Sequence, residues 1–269
     1  KILQIYYKLE GAMSDYEQRV VFFLDFLGFK DIIDNNKFPI DVILKLLSET
    51  EFHLDYTNWI KKNNRDFRTF NSHESNQFLQ MSDSLILSFL VNEPSGLFYA
   101  ILDIMRLQAN FAAKYGILLR GGCCYGELYH RGCTIFGPAM NKVVNMEKIA
   151  KYPRVIVPNN VIDICKEYSS NYHYSDIDEK NDIIDCLKLD EDGYYFIDYI
   201  SYDVFGSETD SNEEWGEYMI KLGKIIKKGL YEQIAIDKYI WLKTQYNKTL
   251  TNTIIQNFKK HCDITLETI

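Results

Sequence analysis

Apolar residues along this chain fall into blocks with two different periods, and these blocks predict alternating strands and helices. An almost unbroken apolar run at residues 19–27 is rich in Val and Phe and predicts a buried strand, which Gly28 ends. Residues 39–62 instead carry apolar side chains three and four positions apart, the spacing of an amphipathic helix. Residues 65–76 are polar and predict a loop.

The middle of the chain continues the same alternation. Residues 76–91 predict two strands joined by a tight turn at residues 82–84, because Ser and Asp favour turns. Residues 95–116 predict a long amphipathic helix with Gly116 as its C-cap. The further predicted elements are a strand at residues 117–130, a helix at 138–152, a short strand at 154–158, and a turn with a strand at 192–200.

Two later segments complete the predicted organisation. Residues 163–192 are acidic and predict irregular structure, whereas residues 213–260 predict continuous helix. The element order predicts one α/β (α+β) sandwich domain over residues 14–205 and a helical C-terminal extension over residues 206–269. Residues 1–13, which end in Gly-Ala-Met, are interpreted as a tag, a non-native leader or an alternative start.

Composition narrows the possible partners and the compartment. The chain has 269 residues and a formal net charge of −8, which disfavours binding to nucleic acid because phosphate contacts need a basic surface. No apolar stretch is long enough to span a membrane, so no membrane partner is expected. The six Cys show no paired CxxC spacing and predict reduced thiols in a cytoplasmic protein.

Two carboxylates carry the candidate chemistry. Asp25 stands near the end of the first apolar run, and an ionised Asp is costly to bury without a cationic partner. Asp83 stands at the tip of the predicted hairpin. In a βαββ arrangement the first and third strands are neighbours, so the two carboxylates would converge and attract Mg²⁺ or Mn²⁺. Taken singly, Asp25 also fits a strand-end or helix N-cap role, and Asp83 fits a plain turn residue.

The sequence DFLGF after this strand adds a possible phosphate site. Gly28 marks the bend from strand to helix. Backbone N–H groups at a helix start attract anions, and two divalent ions with a bound phosphate are a common device for in-line displacement at phosphorus.

Four motifs together resemble one enzyme family. FFLDFLGF, QMSDSLILSF, LRGGCCYGELY and FGPAMNKVVNMEKIA occur in this order within residues 19–158. They resemble the catalytic domain of the class III nucleotidyl cyclases. The resemblance implies the ferredoxin-like βαββαβ core of that domain and a homodimer with active sites at its interface.

The same resemblance implies roles for individual residues. Asp25 and Asp83 would hold two Mn²⁺ or Mg²⁺ ions, with the carbonyl of Phe26 as a further ligand. The ribose 3′-hydroxyl would then attack the α-phosphorus and release pyrophosphate. The residues whose backbone N–H groups would bind the triphosphate are Phe26, Leu27, Gly28 and Phe29.

The sequence departs from the family at the positions that contact the base. Leu79 stands where the family usually has Lys or Glu, and Thr134 stands where it usually has Asp or Cys. The charges that recognise purines are therefore absent, so base selection has to come from other groups.

A further departure concerns the transition-state cation. In the family's N-x-x-x-R pattern, Asn141 is followed here by Asn145 where Arg is expected. Lys148 falls on the same helix face as both Asn residues and would supply the missing charge, although a solvated surface lysine fits that position equally. Arg120 and Arg154 are the other candidate cations, and both also fit structural salt bridges.

These departures, with LRGG and KYPRVIVP, resemble the bacterial pyrimidine cyclases of the Pycsar antiphage system. DEDGYYFIDYI and KYIWLKTQYN extend that resemblance over most of the chain. It implies conversion of CTP to 3′,5′-cyclic CMP, a second messenger that activates a separate effector during infection. Conversion of UTP to cyclic UMP stays open, because Thr134 both donates and accepts hydrogen bonds.

Two other functions remain alternatives at this level. A purine cyclase would need main-chain groups to read the base in place of Leu79 and Thr134. A catalytically inactive, cyclase-like nucleotide-binding sensor would explain the missing Arg, but not the retained Asp pair.

Overall fold

The computed structural model describes residues 16–54, 75–168, 176–261 and 264–269. The predicted leader at residues 1–13 lies outside the described residues, as do residues 55–62 of the predicted helix and 65–74 of the predicted loop. Within the described part of the chain, none of the helices combines the length and the apolar character needed to cross a lipid bilayer.

Strands and helices alternate through the first two thirds of the chain, and helices dominate the last third. The strands are β1 (Glu17–Phe26), β2 (Gln77–Met81), β3 (Ser84–Leu90), β4 (Leu119–Arg131), β5 (Thr134–Phe136), β6 (Val155–Val157), β7 (Leu187–Leu189) and β8 (Tyr195–Ile197). The helices are α1 (Phe29–Asp34), α2 (Ile40–Leu54), α3 (Gly96–Tyr115), α4 (Pro138–Ala150), α5 (Asn159–Cys165), α6 (Asp176–Asp185), α7 (Asn212–Glu232), α8 (Ile236–Thr249) and α9 (Asn252–His261), with a 3₁₀ turn at Phe205–Glu208.

One central sheet organises the molecule, in the order β2-β3-β1-β4-β6-β8-β7, with β5 paired to β4. The first four strands therefore run β2-β3-β1-β4, and β1 pairs antiparallel with both β3 and β4. This order, with helices between β1 and β2 and between β3 and β4, is that of a ferredoxin-like βαββαβ unit. The predicted mixed α/β fold and the predicted β1–β3 pairing are confirmed.

Side-chain alternation along β1 divides the interior into two layers. Val20, Phe22, Leu24 and Phe26 point to the main core, which includes the buried face of α3. Val21 lies on the other face, in a smaller cluster that includes residues of α4. Asp25 has the same parity as Val21, so its side chain lies on the α4 face of the sheet.

The prediction of irregular structure at residues 163–192 is wrong for residues 163–168 and 176–192; residues 169–175 lie outside the described residues. The segment contains the end of α5, all of α6, and β7. Val161 and Cys165 are spaced one helical turn apart and are buried, and so is Ile183. A few apolar residues at helical spacing thus outweigh the acidic composition, which the exposed faces accommodate.

The prediction of continuous helix at residues 213–260 is also wrong in detail. Three helices occupy the segment, and the breaks fall between α7 and α8 and between α8 and α9. Gln233 and Ala235 adopt left-handed backbone angles, with φ of 57° and 51°, which ends α7 and lets α8 turn back along it. Neither residue is a Gly or Pro, so the sequence carries no ordinary breaker signal there.

Candidate active site

The end of β1 places Asp25 between two partner strands. Asp25 stands opposite Ser84 of β3 and opposite Arg120 of β4. Its side chain is 23% exposed, so the carboxylate lies at the rim of the sheet and not in its core. The strand therefore ends with a partly buried anion that requires a cation.

The β2–β3 hairpin brings Asp83 to the same edge. Ser82 and Asp83 form a two-residue turn between Met81 and Ser84, and Ser82 has the positive φ of 55° that such a turn requires. The backbone N–H of Phe26 donates a hydrogen bond of 3.0 Å to the Asp83 carbonyl. This bond fixes the hairpin tip directly beside the residue that follows Asp25.

The two carboxylates and their neighbours act on each other electrostatically. The pKa of Asp25 is raised to about 6, chiefly by burial; Glu147 and Asp83 contribute to the rise, while Arg120 and Lys238 oppose it. Like charges that raise a carboxyl pKa also make the site attractive to a divalent cation, which removes the repulsion.

An ion-pair network connects Asp25 to α4. The Arg120 guanidinium lies 3.3 Å from the Asp25 carboxylate and also pairs with Glu147 of α4, whose side chain is 9% exposed. Sequence reasoning missed Glu147 entirely, since its partner lies 27 positions away in the chain and only the β1–β4 register brings the three together. Arg120 thus neutralises Asp25 within the same chain.

The donor set at this edge suits a hard divalent ion. Asp25 and Asp83 offer carboxylate oxygens, and Mg²⁺ commonly takes one or two carboxylates together with oxygens of the substrate phosphates. Among the described residues, no group of three or more His, Cys, Asp or Glu could hold a metal on its own. The residues therefore fit an ion bound jointly by protein and substrate better than a permanent structural metal.

The bend after β1 forms as the sequence predicts. Gly28 has φ of 82°, a left-handed angle that starts α1, and Phe29 anchors that helix with a buried ring 5.7 Å from the Phe26 ring. The N–H groups of Phe26 and Leu27 are bonded to the carbonyls of Asp83 and Leu118. Those two amides are committed to the fold, which leaves Gly28 and Phe29 of the predicted phosphate-binding group.

The three polar residues predicted to act in catalysis lie on α4, outside the Asp25 ion-pair network. Asn141, Asn145 and Lys148 are all exposed on that helix. Among the described residues, no hydrogen bond or ion pair links them to Asp25 or Asp83. Asn145 lines a cavity of about 670 Å³.

The two predicted base-contact positions differ in how exposed they are. Leu79 of β2 is half-buried and packs against the smaller apolar cluster, which contains Val21 and Ile86. Thr134 is exposed at the start of β5, opposite Arg131 of β4.

Arg154, one of the candidate transition-state cations, is already used in ion pairs within the fold. Arg154 is fully buried, forms ion pairs with Asp190 and Asp192, and lies over the rings of Tyr152 and Trp241. These contacts join β6 to the β7–β8 turn and to α8, so Arg154 has a structural role.

Comparisons with known proteins bear on the fold only. No family profile and no curated protein sequence matches the chain. Solved structures that resemble it include the adenylyl cyclase CyaB from P. aeruginosa, with 12% identity over 58% of this chain and 84% of that one and a TM-score of 0.41. The catalytic core of a rhodopsin-guanylyl cyclase with converted specificity, in complex with ATPαS, aligns with 15% identity over 55% and 80% of the two chains, TM-score 0.39.

An adenylate/guanylate cyclase/hydrolase from Silicibacter pomeroyi aligns with 13% identity over 68% and 95% of the two chains, TM-score 0.38. At such identities and scores, the alignments do not decide what this chain does. The fold assignment rests on the strand order and register described above.

Proposed function

We propose that this protein is a nucleotide cyclase that converts CTP to 3′,5′-cyclic CMP and pyrophosphate. The observation that carries the proposal is the hairpin tip that sets Asp83 beside Asp25 at the edge of a β2-β3-β1-β4 sheet. The four motifs that resemble class III cyclases supply those same residues in the same order.

Each residue of the site has a defined part in this reaction. Asp25 and Asp83 would hold two Mn²⁺ or Mg²⁺ ions, with the Phe26 carbonyl as a further ligand, and the amides of Gly28 and Phe29 would contact the phosphates. The ions would supply charge neutralisation and lower the pKa of the attacking hydroxyl. The 3′-hydroxyl would lose its proton to water, and its oxygen would bond to the α-phosphorus as the bond from that phosphorus to the oxygen bridging to the β-phosphorus breaks. Pyrophosphate would leave.

Base selection and the transition state are assigned to a second copy of the chain. Within one chain, no hydrogen bond or ion pair of the described residues joins Asn141, Asn145 or Lys148 to Asp25, which fits a homodimer that completes each site. Leu79 and Thr134 would line the base pocket without the charges that pair with purines. The absence of these charges fits a pyrimidine base but does not distinguish CTP from UTP. CTP is proposed on the overall motif resemblance alone, with UTP as the alternative substrate.

The biological role follows from the chemistry and the motif resemblance. Cyclic CMP made by a cytoplasmic enzyme would act as a messenger in antiphage defence and would activate a separate effector protein. The chain itself would need neither nucleic acid nor a membrane for this role.

A second function is favoured by two observations. Asn145 stands where a transition-state Arg is expected, and Arg120 already neutralises Asp25. Both fit a nucleotide-binding sensor without catalysis.

Product analysis distinguishes these functions. The purified chain is incubated with Mn²⁺ and separately with ATP, GTP, CTP and UTP, and cyclic nucleotide and pyrophosphate are resolved by chromatography. Asp83→Ala should abolish the product, whereas Asp34→Ala, at an exposed aspartate near the end of α1, should retain it. Cyclic AMP or GMP as the main product would refute pyrimidine selectivity, and nucleotide binding without any product would support the sensor.

A further inference from the structure

One face of α4 lines a cavity that holds a lysine not yet assigned to the candidate active site. The cavity has a volume of about 670 Å³, within the usual range for a small-molecule site. α4 contributes Pro138, Lys142, Asn145 and Met146 to its wall, at the spacing of a single helix face. Asn145, which stands where a transition-state Arg is expected, therefore shares this cavity with a lysine one helical turn before it.

The other walls of this cavity are mostly polar and uncharged. Tyr125 comes from β4, Asn160 from α5, and Tyr194 directly precedes β8. Among the described lining residues, Lys142 is the one cation and Glu127 of β4 is the one anion. A ligand in this cavity would therefore meet hydrogen-bonding groups on several sides and a single ammonium.

The position of Lys142 is set by a glycine of β4. A Cβ added at Gly126 would lie 3.7 Å from Lys142 Nζ, so the ammonium lies close to the bare backbone of the strand. Among the described residues, no hydrogen bond or ion pair involves this ammonium, and none joins it to Glu127. Lys142 is thus held at the cavity wall with its charge available to a ligand.

The other candidate cations do not meet this condition. Arg120 and Arg154 are each engaged by two carboxylates of the same chain. Lys148 is exposed on α4, but it is not among the described residues that line the cavity of Asn145. Of these four cations, Lys142 alone shares a cavity with Asn145.

We propose that Lys142 supplies the positive charge that Asn145 lacks, by contacting the triphosphate of a nucleotide whose metal ions are held by Asp25 and Asp83 of a second copy. An ammonium acts as a point charge toward phosphate oxygens, so it does not need the planar geometry of an Arg side chain. The inference rests on the proposed function for the nucleotide and for the homodimer. It assigns to Lys142 the role that the sequence suggested for Lys148.

The test measures binding of inorganic tripolyphosphate in the presence of Mn²⁺ by calorimetry. Lys142→Ala should weaken this binding about tenfold, because a charge-assisted contact is lost. Lys142→Arg should restore most of the affinity. Lys224→Ala, at an exposed lysine of α7, should bind like the wild type. Because both lysines are exposed, the variants should unfold at the same urea concentration as the wild type.

Subunit mixing assigns Lys142 to one half of the site. Lys142→Ala mixed with Asp83→Ala should form more cyclic product than either variant alone, because the two changes damage opposite halves. Lys142→Ala mixed with Asn145→Ala should show no such gain, since both changes damage the same half. A gain in the second mixture would contradict a shared role of Lys142 and Asn145.

The binding measurements can overturn the inference in four ways. Lys142→Ala would bind tripolyphosphate as tightly as the wild type, Lys224→Ala would lose as much affinity, Lys142→Arg would restore nothing, or Lys148→Ala would lose affinity in place of Lys142→Ala. Because the probe is not turned over, the inference and the proposed function fail separately. Binding that depends on Lys142 without any cyclic product would refute catalysis alone, and turnover of CTP with an unchanged kcat/KM in Lys142→Ala would refute the role of Lys142 alone.

Discussion

At the scale of single residues, Asp25 is tolerated in an apolar strand because its side chain lies on the face of the sheet that packs against α4. Arg120 from β4 and Glu147 from α4 meet it there. Glu147 is nearly buried, so its charge depends on Arg120. The same arrangement fixes Asp25 at the edge of the sheet where the proposed metal site lies.

Removal of Arg120 should test this dependence. Arg120→Leu leaves Glu147 and Asp25 without their cation, so the free energy of unfolding should fall by about 3 kcal/mol. Urea denaturation followed by circular dichroism measures the loss. The double variant Arg120→Leu/Glu147→Leu should recover most of it.

The matched control for this experiment is Lys114→Leu, which breaks an exposed ion pair with Glu49. That change should cost less than about 1 kcal/mol. Equal losses for the Arg120 and Lys114 variants would show that the Asp25 network contributes no more than a surface pair.

The buried His130 should make the stability of the fold depend on pH. His130 is 1% exposed and Ser88 Oγ lies 2.8 Å from its Nδ1. Burial and the nearby Arg19 lower the pKa of His130 to about 4. The unfolded chain binds the His130 proton more readily than the folded chain between pH 4 and the ordinary value of about 6.5, so the contribution of His130 to stability should fall on acidification through that range, by roughly 3 kcal/mol. Asp25, whose pKa is raised to about 6, contributes in the opposite direction, so the effect of His130 is measured as a difference between the wild type and a variant.

Unfolding free energies measured at intervals from pH 7.5 to pH 4 check this. His130→Gln, which cannot titrate, should lose less stability on acidification than the wild type between pH 6.5 and 4, by up to about 3 kcal/mol. An unchanged slope in the variant would assign the pH dependence to other groups.

At the scale of elements, the strands of the sheet could be predicted from the sequence, but the positions at which the C-terminal helices end could not. The strand periodicity and the hairpin signal at Ser82 and Asp83 predicted β1–β3, because apolar alternation and turn chemistry are local. The breaks at Gln233 and Ala235 were not predictable, since neither left-handed residue is a Gly or Pro that would signal a break locally. The Arg120–Glu147 pair likewise depends on register and packing, which no local pattern encodes.

The pairing of β1 with β4 depends on a glycine. A Cβ added at Gly121 would lie 2.7 Å from Leu24 Cδ2 and against the Phe23 carbonyl. Gly121→Ala should therefore separate the strands that hold Asp25 and Arg120 opposite each other. We expect the free energy of unfolding to fall by about 2–3 kcal/mol, measured by urea denaturation.

Gly132→Asn provides the control at a different glycine, in the turn between β4 and β5. Gly132 has φ of 56° and open space around its Cα, and Asn tolerates that angle. Its substitution should change stability by less than about 0.5 kcal/mol. A Gly121→Ala variant as stable as this control would contradict the close approach of β1 and β4.

At the scale of the whole molecule, the predicted sandwich domain and the helical extension share one core. Trp215 of α7 is fully buried and donates to the Ile200 carbonyl, and the Tyr218 hydroxyl donates to the Tyr199 carbonyl. The main apolar cluster runs from Val20 in β1 to residues near the end of the chain. The predicted boundary at residue 205 therefore separates segments that we expect to unfold together.

The homodimer is the largest-scale prediction, and subunit mixing tests it. If Asp83 and Asn145 act in the same site from different copies, Asp83→Ala and Asn145→Ala damage opposite halves of each interface site. Each variant alone should lose most activity. An equal mixture that exchanges subunits forms half heterodimers, each with one intact site, so about a quarter of wild-type activity should return.

The pattern of recovery locates the site, because the control pair responds differently. Asp25→Ala and Asp83→Ala damage the same half, so their mixture should stay inactive whether or not the chain dimerises. Recovery with Asn145→Ala but not with Asp25→Ala would require two copies at each site. Subunit exchange is first confirmed by sedimentation. If both mixtures then fail, Asn145 and Asp83 do not serve one site from two copies, and α4 is not the missing half of the site.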